Sequence, residues 1–244
     1  MVDLPRDEAQ HLFRVLRLKV GEAVRIFNGR GAEFDAVVAT ASKDGVRVRI
    51  VDDCDAVPEA RVAVTLAQAV LKGNKMDDVV RDAVMMGVVA IQPMVTARTE
   101  IAMAALKRSH RRERWQRIAV SSSKQCGRSV VPVVMEPRTV KDVTRALLAL
   151  KPGKILEGTS ESTFADLMCV EPTASAGVGS LRDMDVAPPL ATTILVGPEG
   201  GWTAEEIAVG SSACRLVTLC SRTLRADAMA LIALTALFTR WQEM

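Results

Sequence analysis

The stretch TTILVGPEGGWTAEEI, Thr192 to Ile207, decides how the chain is read. Thr192, Thr193, Ile194, Leu195 and Val196 are β-branched or aliphatic and carry no breaker, so they read as a strand. They run into Gly197-Pro198-Glu199-Gly200-Gly201. A helix start follows, with Thr203 as N-cap and Glu206 three residues on, the spacing of a capping box. Glycines between a strand and a helix leave backbone amides bare beside the positive end of the helix dipole, where a ligand can approach closely. A second unit of the same shape comes next. Arg215 to Leu219 reads as a strand, Cys220-Ser221-Arg222-Thr223 as a loop, and Leu224 to Trp241 mostly as a helix. Together the two loops predict a single ligand pocket.

Much of the preceding chain repeats this rhythm. Val62 to Leu66 is a strand with a possible extension to Leu71, and Lys72-Gly73-Asn74-Lys75 is a loop. Met76 to Met86 is a helix closed by Gly87, a residue that tolerates a left-handed backbone. Val88 to Pro93 is a strand and Leu106 to Lys124 a helix. Val130 to Val134, Val140 to Leu150, and Ile155 with Leu156 continue the alternation. Repeated β-α units predict an α/β fold whose mostly parallel sheet is covered on both faces. Cys169 to Leu190, rich in Pro, Ala, Gly and Ser, reads as a mobile surface loop.

The first 50 or so residues have a different texture. Pro5 to Leu18 reads as a short helix with Ala9, Leu12, Phe13 and Leu16 on one face. From Glu22 the period becomes two. Val24 and Ile26 alternate, Asn28-Gly29 is a hairpin turn, and Phe34 to Ala39 is the return strand. After the turn Lys43-Asp44-Gly45, Val46, Val48 and Ile50 alternate with Arg47 and Arg49. This basic, β-rich module is either a nucleic-acid binder or a plain structural domain. Asp52 to Ala60, acidic and containing Pro58, reads as the linker to the rest.

The chain has 244 residues, 49% hydrophobic and 25% charged, which suits one large or two smaller globular domains. No apolar run of about 18 residues is present, and Arg6, Asp7 and Glu8 come too early for an apolar leader. Five scattered cysteines without a CxxC suggest reduced thiols in a cytoplasm. Two distant histidines, His11 and His110, disfavour a His-rich metal site and a Ser-His-Asp triad. The net charge is only +3, but Arg14, Arg17, Lys19, Arg25 and Arg30 form one basic cluster. Lys107, Arg108, Arg111, Arg112, Arg114 and Arg117 form another. The clusters mark either a polyanionic partner or solvated faces. The last helix, from Ala226 to Phe238, has almost no polar face, so either a second subunit covers it or it is a central core helix.

Four stretches keep one order over nearly the whole chain. They are HLFRVLRLKVGE (His11 to Glu22), QCGRS (Gln125 to Ser129) with Val131-Pro132, ILVGPEGGWTAEEI (Ile194 to Ile207) and SRTLRADAMALIAL (Ser221 to Leu234). On these the chain resembles the RsmE family of 16S ribosomal RNA uracil-N3 methyltransferases, of the SPOUT class. The resemblance implies a C-terminal trefoil-knotted SPOUT methyltransferase domain over residues 61–244. It also implies a small N-terminal PUA-like RNA-binding β-barrel over residues 1–55. The implied cofactor is S-adenosyl-L-methionine. The implied partners are 16S ribosomal RNA in the small ribosomal subunit and a second copy in an obligate homodimer, in the cytoplasm, without metal or membrane. The implied cofactor pocket uses Leu195, Gly197, Glu199, Gly200, Leu219, Ser221, Leu224 and Arg225. Backbone groups of the loops would bond an adenine edge and ribose, with Leu195, Leu219 and Leu224 sandwiching the flat ring.

For the chemistry, Arg225 is the candidate for steadying a uracil anion, and Asp227 for accepting the N3 proton. Other readings of these two are a helix-end salt bridge and a helix N-terminal carboxylate. Arg14, Arg17 and Arg128 are the candidate RNA contacts. The chain departs from the family pattern at Asp82 (commonly Lys), at Met85 and Lys124 (commonly Glu), and at Asp227 (Glu). The first and third changes suggest one inverted ion pair between Asp82 and Lys124. Relatives also carry one more strand before the first helix, which predicts an incomplete barrel or an upstream start. The alternatives are a SPOUT methyltransferase acting elsewhere on RNA, including a ribose 2′-hydroxyl, and a non-catalytic ribosome-binding relative.

Overall fold

A computed structural model describes residues 1–150, 166–174, 178–183 and 187–243. The chain divides into two units, the smaller being residues 1–59 with 123–131 and the larger residues 60–122 with 132–244.

The small unit is built on an antiparallel sheet in the order β1 (Val2–Asp3), β4 (Gly45–Cys54), β3 (Glu33–Ser42), β2 (Ala23–Phe27). The alternation in the sequence is what buries it. Ala36 and Val38 on β3 and Val46 and Val48 on β4 form the core with Ala9, Leu12, Leu18, Val24 and Ile26. Arg47, on the opposite face, meets Asp3 at 2.8 Å. At the β2–β3 turn the Asn28 side chain accepts from the amides of Arg30 (2.7 Å) and Ala32 (3.2 Å). Strand β1 precedes the first helix, and the sequence reading missed it because two residues carry no period.

Only Arg6–Gln10 of the expected first helix is α-helical (α1); His11–Val15 is a π-turn. Its amide bonds reach one residue further, Leu16 N to His11 O at 3.1 Å, so the helical phase slips. Ala9 is buried as expected, but Phe13 and Leu16 are turned out, 37% and 53% exposed. Arg17 then adopts a left-handed backbone (φ 54°), uncommon for a residue with a Cβ.

Residues 123–131 complete the small unit. The Gly31 amide donates to the Ser129 carbonyl, Val131 N to Gly29 O, and the Ser129 hydroxyl to Glu33. Arg128 is 8% exposed, and its Nε lies 3.1 Å from Glu59 Oε1. Arg128, a candidate RNA contact, is thus already paired with a carboxylate of the same unit. Lys124 is paired with Glu8.

The large unit carries a parallel sheet in the order β11 (Arg215–Val217), β9 (Leu167–Cys169), β10 (Ala191–Val196), β5 (Ala63–Ala69), β6 (Ala90–Val95), β7 (Val133–Val134). The two-residue strand β8 (Arg138–Thr139) also pairs with β6. Side chains alternate between two buried faces. Ala67, Met94, Met168 and Leu195 join Val140, Val143 and Leu147 of α5 (Val140–Leu150) and Trp202 in one apolar cluster. Helices α2 (Lys75–Met86) and α7 (Ala226–Arg240) pack against each other. Gly87 ends α2 with φ 100°.

Several expectations change. The helix foreseen over Leu106 to Lys124 is two, α3 (Met103–Arg108) and α4 (Arg111–Cys126), broken where Ser109 is extended (ψ 156°) and its hydroxyl donates to the Leu106 carbonyl. The loop foreseen over Cys169 to Leu190 begins in β9. It also holds a 3-10 turn at Leu181–Asp183 and a bridge from Ser180 to Thr218. Ile155 and Leu156 lie outside the described residues. The inverted pair expected between Asp82 and Lys124 is not formed: Asp82 binds Arg81 at 2.8 Å, and Lys124 takes Glu8. Helix α7 buries Ala230, Ala233, Leu234, Leu237 and Phe238, while Leu231 and Ile232 on its other side are 36% and 40% exposed.

Candidate active site

Strand β10 ends at Val196 in the middle of the sheet, so the glycine loop emerges at the carboxyl edge of the strands, where open α/β sheets bind ligands. Four ties hold the loop. The Trp202 indole donates to the Cys169 carbonyl at 2.8 Å and is itself buried. Arg98 Nη1 donates to the Gly200 carbonyl at 2.5 Å. Glu199 Oε1 accepts from the Lys72 amide (3.1 Å) and from Lys75 Nζ (3.0 Å). The capping box closes the far end: the Glu206 amide donates to Thr203 Oγ1, the Thr203 amide to Glu206 Oε2. Glu206 also accepts from the Ala97 amide at 2.8 Å, tying α6 (Ala204–Ser211) to the loop after β6.

Gly201 is favoured by both contact and backbone, Gly197 by contact. Gly201 has φ 69°, and a Cβ there would lie 2.8 Å from Glu171 Oε1. A Cβ on Gly197 would lie 3.0 Å from the Trp202 ring. A cavity of about 290 Å³ lies between the glycine loop and the start of α7. That is the low end of the usual size of small-molecule sites, about 300–1,000 Å³. Its wall is apolar at Val196, Trp202, Leu224 and Met229, and charged at Lys75, Glu171, Glu199, Arg225 and Asp227.

Arg225 and Asp227 form a two-pronged pair at its edge, Nε to Oδ1 at 3.0 Å and Nη2 to Oδ2 at 2.6 Å. The Arg225 hydrogen bonds hold the Asp227 carboxyl below the ordinary carboxylate range, and Lys75 adds to this. Burial pushes the Glu199 carboxyl up, but its own amide, Lys75 and the Lys72 amide outweigh this and lower it. Burial pushes the Cys169 thiol up to about 12, so it is an inert neutral wall.

Of the expected pocket residues, Gly197, Glu199, Leu224 and Arg225 line this cavity, as does the candidate proton acceptor Asp227; Leu195, Gly200, Leu219 and Ser221 do not. Strand alternation turns the Leu195 side chain into the core beside Trp202. Gly200 gives its carbonyl to Arg98. Sequence reasoning missed Lys75, Glu171, Trp202, Thr223 and Met229. The signal for Trp202 is its place between the glycines and the N-cap. Glu171 had none, because β9 is only three residues long and its neighbourhood reads as loop. Arg14 and Arg17 are exposed on the small unit, remote in sequence from this cavity. In the second basic cluster Arg112 pairs with Glu136 at 3.1 Å and Arg114 with Asp77. Among the described residues no three His, Cys, Asp or Glu side chains converge as metal ligands would, and no helix is long and apolar enough to cross a membrane.

A parallel sheet with a glycine loop and a charged cavity at its carboxyl edge defines a nucleotide-type ligand site on an α/β fold. Comparison with known proteins makes the class specific. Residues 58–238 match the model of an RNA methyltransferase domain, and residues 4–51 that of an RNA methyltransferase PUA domain. Ribosomal RNA small subunit methyltransferase E from Synechocystis sp. is 29% identical over 236 residues, 96% of this chain and 71% of that protein. The protein of that name from Rickettsia conorii is 27% identical, covering 96% of this chain and 87% of its own length. Among solved structures, ribosomal RNA small subunit methyltransferase E from Neisseria gonorrhoeae, bound to S-adenosyl methionine, superposes with TM-score 0.81 at 29% identity. That match covers 98% of this chain and 92% of the other. A methyltransferase from Legionella pneumophila with bound SAM gives TM-score 0.83 at 29% identity, covering 98% and 91%. The chain belongs to the RNA methyltransferase family, in the branch of these small-subunit ribosomal RNA methyltransferases E (RsmE).

Proposed function

We propose that this protein transfers the methyl group of S-adenosylmethionine to N3 of a uridine in 16S ribosomal RNA of the small ribosomal subunit. The observation that carries the reading is the cavity that joins the glycine loop to the Arg225–Asp227 pair. Its donor set suits the cofactor. Gly197 and Gly201 leave backbone bare, and Val196, Trp202, Leu224 and Met229 offer apolar surface to an adenine. The carboxylates of Glu171 and Asp227 suit a cationic ligand with ribose hydroxyls. When bound, the cofactor supplies an electrophilic methyl on a sulfonium.

The remaining chemistry belongs to the chain. Uracil N3 becomes a nucleophile when its proton leaves, and the resulting anion is spread over N3, O2 and O4. Arg225, largely exposed at the cavity mouth, is the proposed donor to that anion. Asp227 is the proposed proton acceptor, and its strength depends on Arg225. While paired, the carboxylate is a weak base. With the guanidinium turned to the substrate that hold is lost, and the carboxylate becomes more basic. Glu199, bound by Lys72 and Lys75, fixes the loop that shapes the site.

The proposal extends to the assembly. A trefoil knot in the C-terminal segment is supported by the Leu181 amide donating to Thr218 O, the Thr218 amide to Gly179 O, and Arg240 to Arg182 O. These bonds run the 178–183 segment alongside Thr218, just past β11, with a parallel bridge from Ser180. A PUA-like barrel is proposed for the small unit, with Arg14 and Arg17 meeting RNA phosphates. A homodimer in the cytoplasm is proposed through the exposed side of α7, where Leu231 and Ile232 would otherwise face water.

Mass spectrometry of 16S ribosomal RNA from a deletion strain tests the reaction: one 3-methyluridine should vanish and return with the wild-type gene. A ribose methylation lost instead would overturn the choice of N3. Arg225→Ala should lower kcat on small subunits about 100-fold or more with little change in cofactor affinity.

A further inference from the structure

The small unit has a second hollow, of about 170 Å³, that the reaction above does not use. It lies between α1, the π-turn and the β3–β4 turn, lined among others by Arg6, Gln10, Phe13, Arg14, Ser42 and Lys43. Three features set it apart. Phe13 is 37% exposed in a chain with only five phenylalanines, three tryptophans and no tyrosine, and it stands outside the core cluster that holds Leu12. The π-turn at His11–Val15 is what swings it out, and such local widenings recur at functional sites. Arg6, Arg14 and Lys43 stand around the ring with no carboxylate partner among the described residues, and Asp44 is the single acid on the rim. The Gln10 amide, also on the wall, makes no side-chain hydrogen bond among the described residues.

We propose that this hollow is a stacking subsite for one unpaired nucleobase of single-stranded RNA. The Phe13 face is the platform, since every base has a π-face to lay on it. Arg6, Arg14 and Lys43 meet the flanking phosphates, and Gln10 faces the edge of the base. An excess of cations around one isolated ring suits a polyanion carrying flat bases. The exposed Val15, Leu16 and Val20 nearby do not line the hollow. The inference rests on the RNA-methyltransferase reading and deepens it by giving the small unit a base contact in addition to its phosphate contacts.

The test uses the full chain and a fluorescent ten-nucleotide oligouridine, with binding followed by anisotropy over a salt series. Phe13→Ala should weaken binding about tenfold at every salt concentration and leave the salt slope unchanged. Phe13→Trp should restore it. Arg14→Ala should instead reduce the slope by about one. Cofactor affinity, read by calorimetry, should be the same in all three variants, and recovery by Phe13→Trp separates the subsite from a folding defect of the small unit. Phe13→Ala binding as tightly as wild type overturns the subsite, and so does a wild-type chain that binds the oligonucleotide with no dependence on Phe13 or Arg14. Methyl transfer to small subunits is scored separately. Transfer intact beside unchanged RNA binding removes the subsite alone, whereas a wild type with no transfer removes the enzymatic reading while the binding series still judges Phe13.

Discussion

Trp202 does two jobs with one side chain. Its ring would crowd a Cβ on Gly197, and its indole N–H ties the loop to the Cys169 carbonyl. Trp202→Phe keeps most of the apolar volume but orphans that buried carbonyl. The expected cost is about 1–2 kcal/mol in urea unfolding, with weaker cofactor binding as the loop relaxes. Glu199 allows a test by pH. Its carboxyl is lowered in the fold from a reference of 4.5, so its contribution to stability is fully present above that value. It is lost as pH falls through the lower folded value. The stability gap between wild type and Glu199→Gln should therefore stay flat from neutral pH down to the reference value and close below it, as denaturant melts in an acid series would show. Glu199 was legible because it sits between glycines at the end of an obvious strand. Lys75 and Glu171 were not, because their part in the wall comes from other segments folding against that loop.

What could be read of the elements followed their length and period. Strands β5 and β10 are six or seven residues of mostly β-branched or aliphatic side chains, and the Thr203–Glu206 capping box announces α6 in four letters. Strand β9 is three residues, too short for any pattern, and without it the wall carrying Glu171 looked like surface loop. The π-turn after α1 breaks the 3.6-residue period on which the expected burial of Phe13 and Leu16 depended. Helix α7 was legible as an element but not in its environment. Composition shows that nearly every side is apolar, whereas only packing shows that α2 covers one side and leaves Leu231 and Ile232 open. If a second copy fills that gap, Ile232→Arg should shift the protein from dimer to monomer in sedimentation velocity at micromolar concentration. A variant that stays dimeric would put the contact elsewhere.

For the molecule as a whole, strand order is the informative quantity. The last strands do not extend the sheet in sequence order: β10 enters between β9 and β5, and β11 sits beyond β9. The parallel pairings join residues far apart in the chain, such as Ala191 with Ala63, and this kind of topology folds slowly. The alternation of strands and helices made the parallel sheet legible, but no local signal carries the order of its strands. The small unit is discontinuous in sequence. A fragment ending at Glu59 would lose Ser129 and Val131 from the turn at Gly29 and Gly31, and Arg128 from Glu59 itself. Evolution therefore cannot exchange this module as a single cassette: any transplant must carry a nine-residue staple cut from the middle of the enzyme.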